Sequence, residues 1–252
     1  MNQSQSEHPE GPAPNPRSAP AINAPSVVIS LFALMLIVQV VQTIAPWETV
    51  NWLMLHFAFI PARYASALGF IYPGGVAADV WTFVSHMFLH GDWLHFAVNG
   101  FFMLAFGSVL ARRFGTGRFL LFSLLAGLGA VGVHLWAYWG DQVPLIGASG
   151  AISGQMAGTV RLMFGRAAPG SALTRPTANT VQALSLGQVF TTPRAVFFLC
   201  VWVGITIAAG LGGFMATEGS SIAWEAHLGG FIVGMLLFGM FDPGPGNTDV
   251  SG

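Results

Sequence analysis

Ile146-Gly147-Ala148-Ser149-Gly150-Ala151-Ile152-Ser153-Gly154 is a glycine-rich, serine-bearing segment at the head of an apolar run. Two questions attach to it: what solvent surrounds the run, and whether Ser149 packs or reacts. Composition answers the first. Of 252 residues, 54% are hydrophobic and 8% charged, where a soluble domain carries about 25% charged residues. The mean hydropathy of +0.65 agrees. So few charges could not cover a soluble surface of this size, so the expected solvent is a lipid bilayer.

Working outward, the run from about Gly147 to Phe164 is one predicted transmembrane span, the fourth of six. Upstream lie Phe119–Tyr138 (third), Trp93–Leu110 (second, with Asp92 as N-cap) and Val27–Ala45 (first, closed by Pro46-Trp47). Downstream lie Ala195–Leu211 (fifth) and Ala223–Phe241 (sixth), ended by Asp242-Pro243-Gly244-Pro245. Residues 47–91 read as a long amphipathic loop at the membrane surface, because Trp52–Ile60 is too short to span. Residues 165–193 read as a polar linker and 212–222 as a Gly/Ser-rich loop. Residues 1–26 are predicted to be a disordered tail and 242–252 a short polar one. The expected fold is all-α, with one membrane domain over 27–241.

All nine basic residues are arginine, and net charge is −1, which leaves no electrostatic footprint for nucleic acid. Arg17, Arg112, Arg113, Arg118, Arg161, Arg166, Arg175 and Arg194 share one side of the predicted topology, and Arg63 alone takes the other. That asymmetry predicts cytoplasmic termini. Together with the Gly- and Ala-rich composition it suggests a bacterial inner membrane. The single Cys200 excludes an internal disulfide and is read as a buried, inert thiol.

The second question turns on depth. At a rise of ~1.5 Å per residue, Ser149 stands ~18 Å above Arg161, and Asn99 and His95 stand ~20 and ~25 Å above Arg112. His227 stands ~22 Å above Asp242. Three spans therefore carry polar residues to one layer in the outer half of the bilayer. Gly150, Gly154 and Gly158 form a ridge on the fourth span, and Gly230 and Gly234 another on the sixth, so the backbones can approach. A ridge alone explains packing and no more. A histidine beside it at the depth of a serine is the pairing that activates a hydroxyl. No carboxylate is assigned to that depth, so the expected chemistry is a dyad of Ser149 and His227. His95 and Asn99, four residues apart on one helix face, would serve with the Ser149 backbone N–H to stabilise an oxyanion. His86, His90 and His95 do not share a helix face, so no metal site is predicted and no cofactor is called for. His86 and His90 are read as loop-packing residues that bond backbone groups, and His134 and His56 as structural residues with no partner to name.

These residues resemble the rhomboid family of intramembrane serine proteases. The resemblance lies in His86-Met-Phe-Leu-His90-Gly-Asp-Trp-Leu-His95-Phe-Ala-Val-Asn99, in Gly147-Ala148-Ser149-Gly150, and in Ala226-His227-Leu-Gly-Gly230-Phe-Ile-Val-Gly234. It extends over about residues 27–241. It implies Ser149 as nucleophile, His227 as general base, an oxyanion site at His95, Asn99 and the Ser149 N–H, and support from His86 and His90 near the water-access route. It implies single-pass transmembrane proteins as substrates, cut near the outer face. Some members carry a tyrosine stacked on the histidine four residues after the nucleophile, where this chain has Ser153. The Trp-Arg pair often seen in the first loop is absent. Two other readings exist: a rhomboid-like protein that binds transmembrane helices without cutting them, and a small transporter using the histidines as a proton path. The transporter would call for paired carboxylates within spans, which the sequence does not offer.

Overall fold

The computed structural model describes residues 24–167, 178–211 and 223–246. Most of the expected N-terminal tail, the Gly/Ser-rich loop, the middle of the linker and residues 247–252 lie outside them. Helix α1 (Ser26–Ile44) begins after Pro25 and stops before Pro46. Ala45 is already extended at ψ 151°, as the residue before a proline prefers.

The stretch from 47 to 91 is more regular than an amphipathic loop. It contains α2 (Trp47–Phe57), α3 (Gly75–Ser85) and short 3₁₀ turns at Pro61–Tyr64, Ser66–Leu68 and His86–Phe88. Each piece is too short to show a span-length pattern, which is why the sequence reads as a loop. Arg63 holds the pieces together, its guanidinium donating to the Leu55 carbonyl at 2.6 Å and the Pro73 carbonyl at 3.0 Å. It also pairs with Asp79 at 3.4 Å. Trp81 donates its indole N–H to the His56 carbonyl, and Ser85 its hydroxyl to Phe57. His56, assigned no partner from sequence, stacks on Trp52 at 4.4 Å.

Helix α4 (Trp93–Phe114) contains a π-helical turn at Met103–Gly107 and runs past the predicted end at Leu110. Arg112 and Arg113 continue it, and Gly115 at φ 74° ends it. Helix α5 is Thr116–Ala137, and α6 is Ser149–Met163. The linker forms a two-residue antiparallel pair, β1 (Arg166–Ala167) with β2 (Val181–Gln182). It then makes α7 (Leu186–Thr191), closed by a Ser185–Gln188 capping box. Helices α8 (Pro193–Gly210) and α9 (Trp224–Phe241) complete the bundle.

Five of these helices, α1, α4, α5, α8 and α9, are long and apolar enough to cross a membrane. The expected fourth span is not among them. At 15 residues α6 is about 22 Å long, short of a ~30 Å hydrocarbon core. It starts inside the protein because residues 141–148 enter as non-helical backbone, with Leu145 bridged to Phe59. Such backbone is tolerated at membrane depth only where protein surrounds it. Every residue from Ala151 to Leu162 is buried. By contrast Ile37, Ile44, Phe197 and Ile205 face outward, as lipid-facing side chains do.

Small residues let α5, α6 and α9 touch backbone to backbone. A Cβ on Gly230 would stand 2.0 Å from the Gly150 carbonyl oxygen, and one on Gly234 2.5 Å from the Gly154 Cα. Ala126 and Ala130 of α5 fill the space beside Gly154 and Gly150. Gly158, assigned to the same ridge, instead faces Phe238 and Leu110 side chains. At the end of the bundle away from Ser149, Arg113 is fully buried and bonds Asp242 at 2.5 and 3.2 Å and the Ala178 carbonyl at 2.9 Å. Arg161 is buried as well, donating to the Leu184 and Met235 carbonyls beneath the Phe238 ring. Two of the arginines counted for topology are thus internal ties. Cys200, expected to be buried, is exposed on α8.

Candidate active site

The segment before α6 is held from two sides. Phe59 and Leu145 exchange backbone hydrogen bonds at 3.2 and 2.8 Å, and the Gly147 N–H donates to the His86 carbonyl at 2.9 Å. Gly147 then turns the chain at φ 104°, a conformation that side-chain-bearing residues rarely adopt. Ile152 is the first amide of α6 seen in its ladder, donating to Ala148 at 3.0 Å. The amides of Ser149, Gly150 and Ala151 therefore head a helix N-terminus, where negative charge is favoured.

Ser149 and His227 meet across α6 and α9. The His227 Nε2 lies 2.8 Å from the Ser149 Oγ. The arrangement that would activate the hydroxyl has Oγ–H donating to an unprotonated Nε2, with the ring proton on Nδ1. The Gly150–Gly230 contact, one turn below His227, makes the approach possible.

His95 and Asn99 stand on the neighbouring α4. Asp92 caps this helix by accepting from the His95 N–H at 2.7 Å. The Gly91 N–H approaches the His95 Nδ1 at 3.4 Å, leaving Nε2–H as the free donor. That Nε2 lies 2.7 Å from the place a Gly147 Cβ would take, and the Ser149 Oγ is 3.8 Å from the same point. Glycine at 147 is what lets the imidazole lie against the serine loop. The buried Asn99 amide donates to the His95 carbonyl at 2.9 Å, while its Oδ1 has no partner among the described residues. Asn99 thus sits on the His95 face as expected, bonded to its own helix and not to Ser149.

His86 and His90 support the site differently from one another. The His86 ring bonds the Thr82 carbonyl at 2.9 Å, and its own carbonyl holds Gly147. Burial pushes its pKa down to about 4. His90 is buried edge-on to His95 and Phe96. It was expected to bond backbone through its ring. Instead both ring nitrogens are buried without a hydrogen bond that meets ordinary distance and angle limits among the described residues. Its backbone N–H and C=O pair with the Gln42 amide of α1, both at 3.2 Å. Burial lowers its pKa to about 4 too. Ser153 is buried one turn below Ser149.

The sequence reading missed one group. Glu225, two residues before His227, is a buried carboxylate, and His134 of α5 bonds it at 2.6 Å. The expectation that no acid lies near this layer is therefore corrected, as is that of a partnerless His134. A Glu two residues before the histidine was visible in the sequence; its partner, 91 positions away, was not.

Comparison with known proteins follows the same residues. The Rhomboid domain family model matches residues 77–242, about two thirds of the chain. It begins within α3, so α1 and α2 precede it. Curated relatives include rhomboid protease GlpG of Yersinia pestis (strain Pestoides F) and of Yersinia pseudotuberculosis serotype O:3 (strain YPIII). Each is 27% identical over 173 residues, covering 68% of this chain and 52% of the relative. GlpG of Yersinia enterocolitica serotype O:8 / biotype 1B (strain NCTC 13174 / 8081) is 28% identical over 160 residues, covering 63% and 47%. The chain spans about half the length of the curated relatives it matches. A matched stretch running from α3 through both helices of the Ser149–His227 contact places this chain in the rhomboid family of membrane proteins.

Proposed function

We propose that this protein is an intramembrane serine endopeptidase that cuts transmembrane segments of single-pass membrane proteins through a Ser149–His227 dyad. The observation that carries the reading is the 2.8 Å contact between the His227 Nε2 and the Ser149 Oγ at the head of a buried helix. As His227 takes the hydroxyl proton, the Ser149 Oγ bonds to the scissile carbonyl carbon. The resulting oxyanion is met by the Ser149 N–H, by His95 Nε2–H and by the second N–H of Asn99. His227 then passes its proton to the leaving amine, the C–N bond breaks, and an ester remains on Ser149. Water adds to that ester, with His227 again as base, and frees the second product. His86, His90 and Gly147 support the oxyanion side, and Gly150, Gly154, Gly230 and Gly234 the approach of the dyad.

The arginine distribution supports an orientation with both termini cytoplasmic and the site opening toward the outer face, in a bacterial inner membrane. In that orientation a single membrane domain covers 27–241, with polar tails on either side.

Reaction with a fluorophosphonate tests the nucleophile. The wild type should take the label on Ser149 and cleave a model transmembrane substrate in detergent. Ser149→Ala and His227→Ala should do neither while remaining folded. A folded wild type that takes no label and cuts no transmembrane substrate would favour the helix-binding reading, and undiminished cleavage by Ser149→Ala would remove the dyad.

A further inference from the structure

Resting on the dyad reading, we propose that Glu225 and His134 form a positioning clamp that holds His227 in register with Ser149. Glu225 lies in the first turn of α9 and His134 in the last turn of α5. The two are 6% and 8% exposed and meet at 2.6 Å. Their remaining polar atoms, Glu225 Oε2 and His134 Nε2, have no partner among the described residues. A buried pair satisfied on one side only is a poor stabiliser, since apolar residues of similar volume would fill the space without the desolvation cost. What the pair supplies is geometry.

The position of the grip shows which geometry. One turn beyond Glu225, Gly229 packs on the same stretch of α5. A Cβ there would meet both the Val133 side chain and the Gly129 carbonyl at 2.8 Å. Residues 133 and 134 therefore hold α9 at 229 and 225, and His227 lies midway between the two grips. The carboxylate is favourably placed at a helix N-terminus. The Tyr138 ring, 5.0 Å from that of His134, backs the imidazole. The His227 ring has Ser149 as its hydrogen-bonding partner among the described residues, and the position from which a tyrosine stacks in some relatives is Ser153. Glu225 bonds His134, while the Ser149 hydroxyl bonds His227, so Glu225 acts through the placement of α9.

Four variants of the full chain in detergent test the clamp: Glu225→Ala, Glu225→Gln, His134→Phe, and the exchanged pair Glu225→His with His134→Glu. Each is read by the rate of fluorophosphonate labelling at Ser149, by kcat and KM on a transmembrane substrate, by unfolding temperature and by histidine ¹⁵N spectra. Glu225→Ala should lower labelling and kcat about 10- to 100-fold with KM within about two-fold, the scale of a displacement near 1 Å. Glu225→Gln should fall between, because its carbonyl still accepts from His134, and the exchanged pair should regain most of the loss. Labelling of Glu225→Ala at the wild-type rate would overturn the clamp. So would a loss that tracks the folded fraction and is recovered neither by Gln nor by exchange. If the wild type takes no label the dyad reading fails, and the clamp is judged by the His227 ¹⁵N signals alone. A shift on Glu225→Ala upholds it and an unchanged spectrum overturns it.

Discussion

Gly147 joins three constraints at one residue. Its φ is 104°, its N–H is committed to His86, and the His95 ring fills the place of its side chain. Gly147→Ala should therefore displace His95 before it unfolds anything. The expected outcome is a drop of about 100-fold or more in fluorophosphonate labelling, the scale of losing one oxyanion donor, with the unfolding temperature changed by only a few degrees. Labelling at the wild-type rate would show that His95 is not held by this contact. That Ser149, His227 and His95 are candidates for one site was legible in the sequence, because a hydroxyl and imidazoles in apolar surroundings call for a reason, and the structure brings them together. The Glu225–His134 pair was not, because neither residue carries in its neighbours any mark of the other.

Among the elements, α6 depends most on others, since it is buried on all sides and too short to span by itself. Its contact with α9 runs through carbonyl groups that cannot move aside as a flexible side chain does. Gly230→Ala should force the helices apart and cost about 1–3 kcal/mol, the usual range for overpacking, together with most of the labelling. Thermal unfolding in detergent measures the first and labelling the second. At the end of the bundle away from Ser149, Arg113→Met leaves Asp242 without its cation and should cost about 3–5 kcal/mol. The pair Arg113→Met with Asp242→Leu should recover much of this, which equilibrium unfolding of the single and double variants would check. Gly150, Gly154, Gly230 and Gly234 were legible as contact glycines from their spacing, whereas Gly158 has the spacing without the backbone contact. The buried role of Arg113 was not, since an arginine near the end of a span reads the same whether it faces water or turns inward.

At the scale of the molecule, the loop helices and the bundle meet at His86 and His90, which burial holds below the ordinary histidine range, each at about 4. Between pH 6.5 and 4 the folded protein therefore binds fewer protons than the unfolded chain. Stability present above pH 6.5 should be lost as pH falls through that window, by up to about 3 kcal/mol for each histidine. Unfolding temperatures from pH 7 to pH 4 would show this fall, and a His86→Gln variant should flatten it. An unfolding temperature independent of pH would contradict the burial of both rings.

The sequence by itself determined the solvent and the order of the long apolar helices, and it singled out Ser149, His95 and His227 as candidates. Hydropathy, proline breaks and residue chemistry are all written within a few turns of chain. The tertiary structure decided how deep α6 begins, which way Arg113 and Arg161 turn, how Arg63 ties the first loop, and that Glu225 grips His134 beside His227. These depend on which faces of distant helices are turned toward each other. A helix buried by its neighbours carries no local signal of where those neighbours lie.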